Sequence, residues 1–323
     1  ALGIAVASVY AGISCGPFIG GALVTAFGWR SIFYIAVPLG AITFATSCAK
    51  LRGEWAEARG EPFDWRGSLV YAAAILMLIC GASNLDQGGW AWALTAAGAA
   101  GLVHFLILES RTEYPVLNVN LLRDNRVFAF SNLAALLNYA ATFGVTFFLS
   151  LYLQFIKGLN PREAGTILIL QPIIQAVFSP LCGRLADRFS AATVATLGMG
   201  LCATGLGIAA TITATSPITL VLGILVTLGF GFALFSSPNI SVIMGSIPTR
   251  YLGVASGLNS TMRTLGMMAS MTVITIIFSI FMGGQAVTPQ THGQFLDSMR
   301  TALLTFSVLC IIGIFFSLGR IRK

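Results

Sequence analysis

Charge is what this chain has least of. Of 323 residues only 9% are Asp, Glu, Lys or Arg, against about 25% in a soluble domain. The apolar share is 56% and the mean hydropathy is +0.87. A water-soluble fold has no way to enclose that much apolar surface, so soluble classes are excluded. Only two histidines occur, His104 and His292, and they fall in different segments. None of the six cysteines stands in a CxxC pair, so metal and disulfide frameworks are not indicated and the thiols read as small apolar packing groups. No phosphate-binding P-loop is present, and the one GxSxG spacing, Gly12-Ile-Ser-Cys-Gly16, lies inside a long apolar run rather than at a strand-to-helix turn, so no enzyme is expected. No metal or cofactor is expected. The +7 formal charge is spread over short loops rather than gathered into a patch for nucleic acid.

What the chain does have is long apolar runs. Ten reach the length that a bilayer core demands: approximately 2–27, 31–50, 65–84, 91–109, 127–153, 163–182, 191–213, 217–245, 254–282 and 297–319. Each is expected to be a helix, because open strands leave backbone groups unsatisfied in lipid. The fold class is therefore an all-α polytopic membrane protein lying in the lipid bilayer. With Ala1 cytoplasmic, thirteen of the eighteen basic residues fall in inner loops or tails, and only Arg30, Lys157, Arg162 and Arg300 fall outside. The positive-inside rule then predicts both termini in the cytoplasm of a cell-membrane protein.

All eleven acids lie in loops or at helix ends, and none is mid-span. Asn138, Thr142 and Thr146 recur every fourth residue beside Phe143 and Phe147. Gln171 and Gln175 share a face around Pro172, and Asn239 follows Pro238. Polar groups in lipid face protein or a wet cavity. These residues are either helix–helix hydrogen bonds or the lining of a substrate path. Arg263 lies about ten residues into its span and either snorkels or faces the interior as a gate or anion contact.

Gly12, Gly16 and Gly20 are four apart, followed by Gly21 and interrupted by Pro17. A helix places the first three on one face, bare enough for close backbone approach, and Pro17 bends it. A tight helix contact is one reading. The decapeptide 12–21 also resembles the fifth-helix motif of proton-coupled antiporters in the major facilitator superfamily. Further stretches resemble its fourteen-helix drug:proton antiporters: Gly28-Trp-Arg-Ser-Ile-Phe-Tyr, Phe63-Asp-Trp-Arg-Gly67, Gly88-Gly-Trp90, Leu121 to Phe128, Gly158 to Pro161, and Gly253 to Asn259 with Arg263 and Gly266. Gly183, Arg184, Asp187 and Arg188 resemble the superfamily's cytoplasmic-loop gate, with Ser190, Ala191 and Ala192 where a Gly and two basic residues are usual.

The resemblance implies a fragment that begins at the fifth helix. Residues 1–50 would hold the last two helices of the N-terminal half, 51–126 an inserted helix pair, and 127–323 the complete six-helix C-terminal half. It implies proton-coupled efflux of drug-like or amphipathic compounds by alternating access, with small-molecule substrate and protons as partners. The coupling carboxylate is expected in the missing helices. An exporter of an endogenous metabolite, lipid-like molecule or siderophore is the alternative, and a passive channel or a membrane-embedded electron carrier stands further off. The sequence leaves a periplasmic adaptor open.

Overall fold

The structure is a computed structural model. It describes residues 8, 12, 23, 27–28, 30–50, 62–82, 84, 88–117, 119–283 and 285–320. Among these, nine helical spans are long and apolar enough to cross a membrane. The expected span 2–27 lies almost wholly outside the described residues.

The helices are α1 (Arg30–Lys50), α2 (Trp65–Ala82), α3 (Gly89–Glu109), α4 (Val119–Asp124), α5 (Arg126–Leu151), α6 (Pro161–Leu168), α7 (Leu170–Arg188), α8 (Ala191–Ala209), α9 (Ile218–Gly245), α10 (Leu252–Met282) and α11 (His292–Gly319). Local chemistry sets the junctions. Asn125 caps α5, its Oδ1 accepting the Phe128 N–H at 3.0 Å. A π turn, Tyr152–Ile156, ends that helix, and Gly158 then takes φ +69°. Asn160 and Glu163 form a reciprocal capping box with Pro161 in the first turn of α6, satisfying two orphan N–H groups. Between α6 and α7 the chain breaks at Ile169, just ahead of Pro172, which has no N–H to continue the ladder.

Helices α5 to α11 pack as one bundle. Its core is Phe148, Leu149, Tyr152, Leu153, Met199, Leu206, Leu225, Leu228, Phe235, Phe295 and Phe306, all nearly inaccessible. Lipid supplies no hydrophobic drive between helices, so close contact relies on small residues. Gly198 of α8 lets α9 approach: a Cβ there would sit 2.6 Å from Phe235 N and 2.7 Å from Gly231 O. Gly266 of α10 does the same against α5, 2.5 Å from Leu136 O.

Helices α2 and α3 make a separate hairpin. Gly67, Ala74 and Gly81 are buried on α2, and Ala91, Gly98 and Phe105 on α3, each set spaced by seven residues. A seven-residue seam keeps two helices in register around one another. At Gly98 a Cβ would collide with Leu78 N and come within 2.9 Å of Ala74 O; at Gly81 it would collide with Thr95 and lie 2.8 Å from Ala91 O. Helix α1 has no buried residue among those described.

Candidate functional site

Two faces of the bundle differ sharply. Asn138, Thr142, Val145 and Leu149 on α5 are buried, whereas Phe143 and Thr146 are exposed. The open face continues onto α10. There Thr264, Met267, Met268, Met271, Thr272 and Thr275 line a cleft of about 350 Å³ with Phe143 of α5 and Ala82 of α2. The hairpin thus supplies one wall, and the Tyr71 hydroxyl meets Thr261 Oγ1 at 2.6 Å to hold it against α10. Methionine and threonine give this cleft adaptable apolar surface with hydroxyls between, suited to ligands of varied shape.

The amides read from the sequence are not brought together there. Asn138 points into the bundle, its Oδ1 taking a weak 3.8 Å contact from Cys310 Sγ, and its Nδ2 is unpartnered. Thr142 donates to Asn138 O at 2.6 Å within its own helix. Thr146 alone of that stripe is exposed. Gln171 and Gln175 are buried, and Gln175 Nε2 is unpartnered. Gly229 of α9 closes against Gln171 O, with 2.9 Å from an added Cβ. Arg263 is half-buried on α10, one helical turn before Met267.

Asn239 belongs to a different arrangement. Arg320, only 6% exposed at the end of α11, donates from Nη1 to Asn239 Oδ1 at 2.5 Å and to Ser131 Oγ at 2.9 Å. Its Nη2 donates to Ala192 O at 3.2 Å, and Asn239 Nδ2 donates to Ser131 O at 3.2 Å. One guanidinium so joins α5, α8, α9 and α11. Burial pulls its pKa down to about 10, which leaves it charged at neutral pH.

In the segment that resembles the superfamily's loop motif, Gly183 is half-buried, and Arg184, Asp187 and Arg188 are exposed around a groove with Leu181 and Leu185. Of the glycine motif, Gly16, Pro17, Gly20 and Gly21 lie outside the described residues. A Cβ on Gly12 would meet nothing within 4 Å. Sequence reasoning missed Arg320, Ser131 and the methionine row. The row had a usable signal, since Thr264, Met268, Met271 and Thr275 recur at helical spacing.

The long apolar helices and the Thr/Met/Phe cleft define a multi-pass membrane protein of the transport class. The description Major Facilitator Superfamily fits residues 1–271 of the chain. The riboflavin transporter RibZ of Clostridioides difficile is 30% identical over 100% of this chain and 70% of its own length. Multidrug resistance protein Stp of Mycobacterium tuberculosis is 32% identical over 82% of this chain and 50% of Stp. The tetracenomycin C resistance and export protein of Streptomyces glaucescens is 29% identical over 88% of this chain and 53% of that protein. The chain therefore spans about half the length of the last two relatives. A crystal structure of the nucleoside transporter NupG superposes with TM-score 0.50 at 14% identity, covering 78% of this chain and 66% of that one, a likeness of fold alone. The chain belongs to the Major Facilitator Superfamily, whose members are membrane transport proteins for small molecules.

Proposed function

We propose that this chain serves proton-coupled efflux of drug-like or amphipathic compounds by alternating access. The observation that carries the reading is the open Thr/Met/Phe cleft on the α5–α10 face; the amides of Asn138 and Asn239 pack inside the bundle instead. The similarity to Stp and to the tetracenomycin exporter supports export. In this reading the segment Gly12, Gly16, Pro17, Gly20, Gly21 seals the outer route, and Gly183, Arg184, Asp187 and Arg188 meet the other half of the transporter at the inner face. Both termini of the chain face the cytoplasm of the cell membrane, and residues 127–323 act as the C-terminal half. A proton's charge crossing 100 mV supplies about 2.3 kcal/mol.

The test uses the full-length protein in an efflux-deficient bacterium loaded with a fluorescent amphipathic cation. Wild type should expel the dye, and an uncoupler should stop it. Met268→Trp, which fills the cleft, should lower efflux at least tenfold at unchanged membrane abundance. Gly16→Leu should do the same by wedging the glycine face apart. Uncoupler-insensitive efflux overturns the proton coupling, and normal efflux by Met268→Trp overturns the cleft as the path.

A second reading rests on the full-chain similarity to RibZ: the cargo is an endogenous metabolite. Riboflavin competing with the dye at low concentration would favour it.

A further inference from the structure

Helix α2 begins just after Asp64, and α3 ends at Glu109, so the two meet at one end of the hairpin. Asp64 Oδ1 accepts the Gly67 N–H at 2.9 Å, and Glu109 Oε2 accepts the Leu117 N–H at 2.7 Å. One oxygen of each carboxyl is thereby satisfied. The other two, Asp64 Oδ2 and Glu109 Oε1, are buried without a partner, and Glu109 is only 2% exposed. Both converge on the same point: a Cβ on Gly67 would collide with Glu109 Oε1 and with Asp64 Oδ2 at once. Gly67 is buried on the hairpin seam, and its missing side chain is the space the two carboxyls share.

Two ionised carboxylates are acceptors only, so they have no means of bonding each other. Facing in a buried place, they repel and both lose their hydration. A proton on either one turns the contact into an O–H···O⁻ hydrogen bond, one of the strong charge-assisted kind. The other charged groups on these elements are Arg66 on α2, His104 on α3, and Arg111 and Glu113 on the following loop. All four are exposed at the surface of the protein, and Arg263 of the neighbouring α10 is half-buried.

We propose that Asp64 and Glu109 form a proton-binding site that holds one proton between them and ties the open end of the hairpin to the loop at Leu117. The site stands apart from the α5–α10 cleft. It makes hairpin closure depend on pH whatever cargo the transporter carries. Release of the proton leaves two facing carboxylates, whose repulsion drives the ends of α2 and α3 apart. The folded chain then holds a proton that the unfolded chain releases, so rising pH removes stability through this pair. Asp64→Asn puts a permanent N–H donor where the shared proton sits, in the same shape.

The test uses the full chain in detergent or nanodiscs. Infrared spectra at neutral pH should show a protonated carboxyl C=O stretch that disappears on titration to alkaline pH. The band should be lost in Asp64→Asn and in Glu109→Gln, because each leaves a single ionised carboxylate facing an amide. The melting temperature of wild type should fall as pH rises above neutral, with that fall absent in Asp64→Asn. Absence of the band in wild type at neutral pH, or its survival in both variants, overturns the proposal. If a sodium or magnesium salt at constant pH restores the stability lost at high pH, a metal cation is the occupant and the proton assignment falls.

Discussion

The guanidinium of Arg320 donates to the side-chain oxygen of Asn239 at 2.5 Å, joining the end of α11 to the stretch of α9 just past Pro238. Pro238 has no N–H for the helix ladder, and the neighbouring Asn239 is held from outside the helix, by Arg320 and by Ser131 O. Arg320→Met should destabilise the chain by about 2 kcal/mol, because it strands the Asn239 oxygen in a buried setting. Arg320→Lys should fail to rescue it, since a point charge does not span Ser131, Asn239 and Ala192 as a planar fork does. Thermal unfolding of purified variants reads both. The pair Arg320→Met with Asn239→Leu should recover part of the loss, because removing both partners removes the stranded group.

The pH dependence of that contribution has a definite sign. Burial lowers the pKa of Arg320 to about 10, while the unfolded-state value stays higher. Across the neutral range both states carry the charge, so the difference between wild type and Arg320→Met should be flat. Above about pH 10 the unfolded chain binds more protons than the folded one, so this group's contribution should rise with pH there. Unfolding curves of the two proteins across an alkaline series check it.

The glycines separate into two kinds, and substitution should tell them apart. Gly98→Val forces a side chain into the backbone of α2 and should cost about 1–3 kcal/mol. Gly200 on α8 faces open space, so Gly200→Ala should be neutral or stabilising by up to about 1 kcal/mol. Melting temperatures of the two variants, measured side by side, decide it.

The hydroxyl pair Tyr71–Thr261 should be weak. A double-mutant cycle with Tyr71→Phe and Thr261→Val should give a coupling of about 0.6 kcal/mol, typical of hydrogen bonds between membrane helices.

Orientation is testable with residues chosen from the structure. Gly293 is exposed with open space around it, and Ser190 is exposed before α8. In a thiol-free background, an impermeant reagent should label Gly293→Cys and spare Ser190→Cys in intact cells. The reverse pattern overturns the proposed topology.

The helices were legible because each membrane span must satisfy its own backbone. The expected run 217–245 is observed as Ile218–Gly245, and 254–282 as Leu252–Met282. Direction around each helix was not legible, because it depends on neighbours far away in sequence. Asn138 and Thr146 lie on one stripe by spacing, yet Asn138 meets α11 and Thr146 is exposed. Arg320 read only as one more inner-tail cation, since nothing local announces that Ser131 and Asn239 wait for it. Glu109 read as a helix-end acid. Its burial depends on Gly67, forty-two positions earlier, leaving room for it.

The hairpin seam has a consequence for how the bundle is put together. Helices α2 and α3 recognise each other through Gly67, Ala74, Gly81, Ala91 and Gly98, and the hydrogen bond that fixes them to α10 passes through a single threonine. Among the described residues, recognition is thus written mostly inside the hairpin. A segment of this kind is self-contained: among the described residues its seam does not draw on the helices beside it, and a change in the wall it lends to the cleft reshapes the cleft.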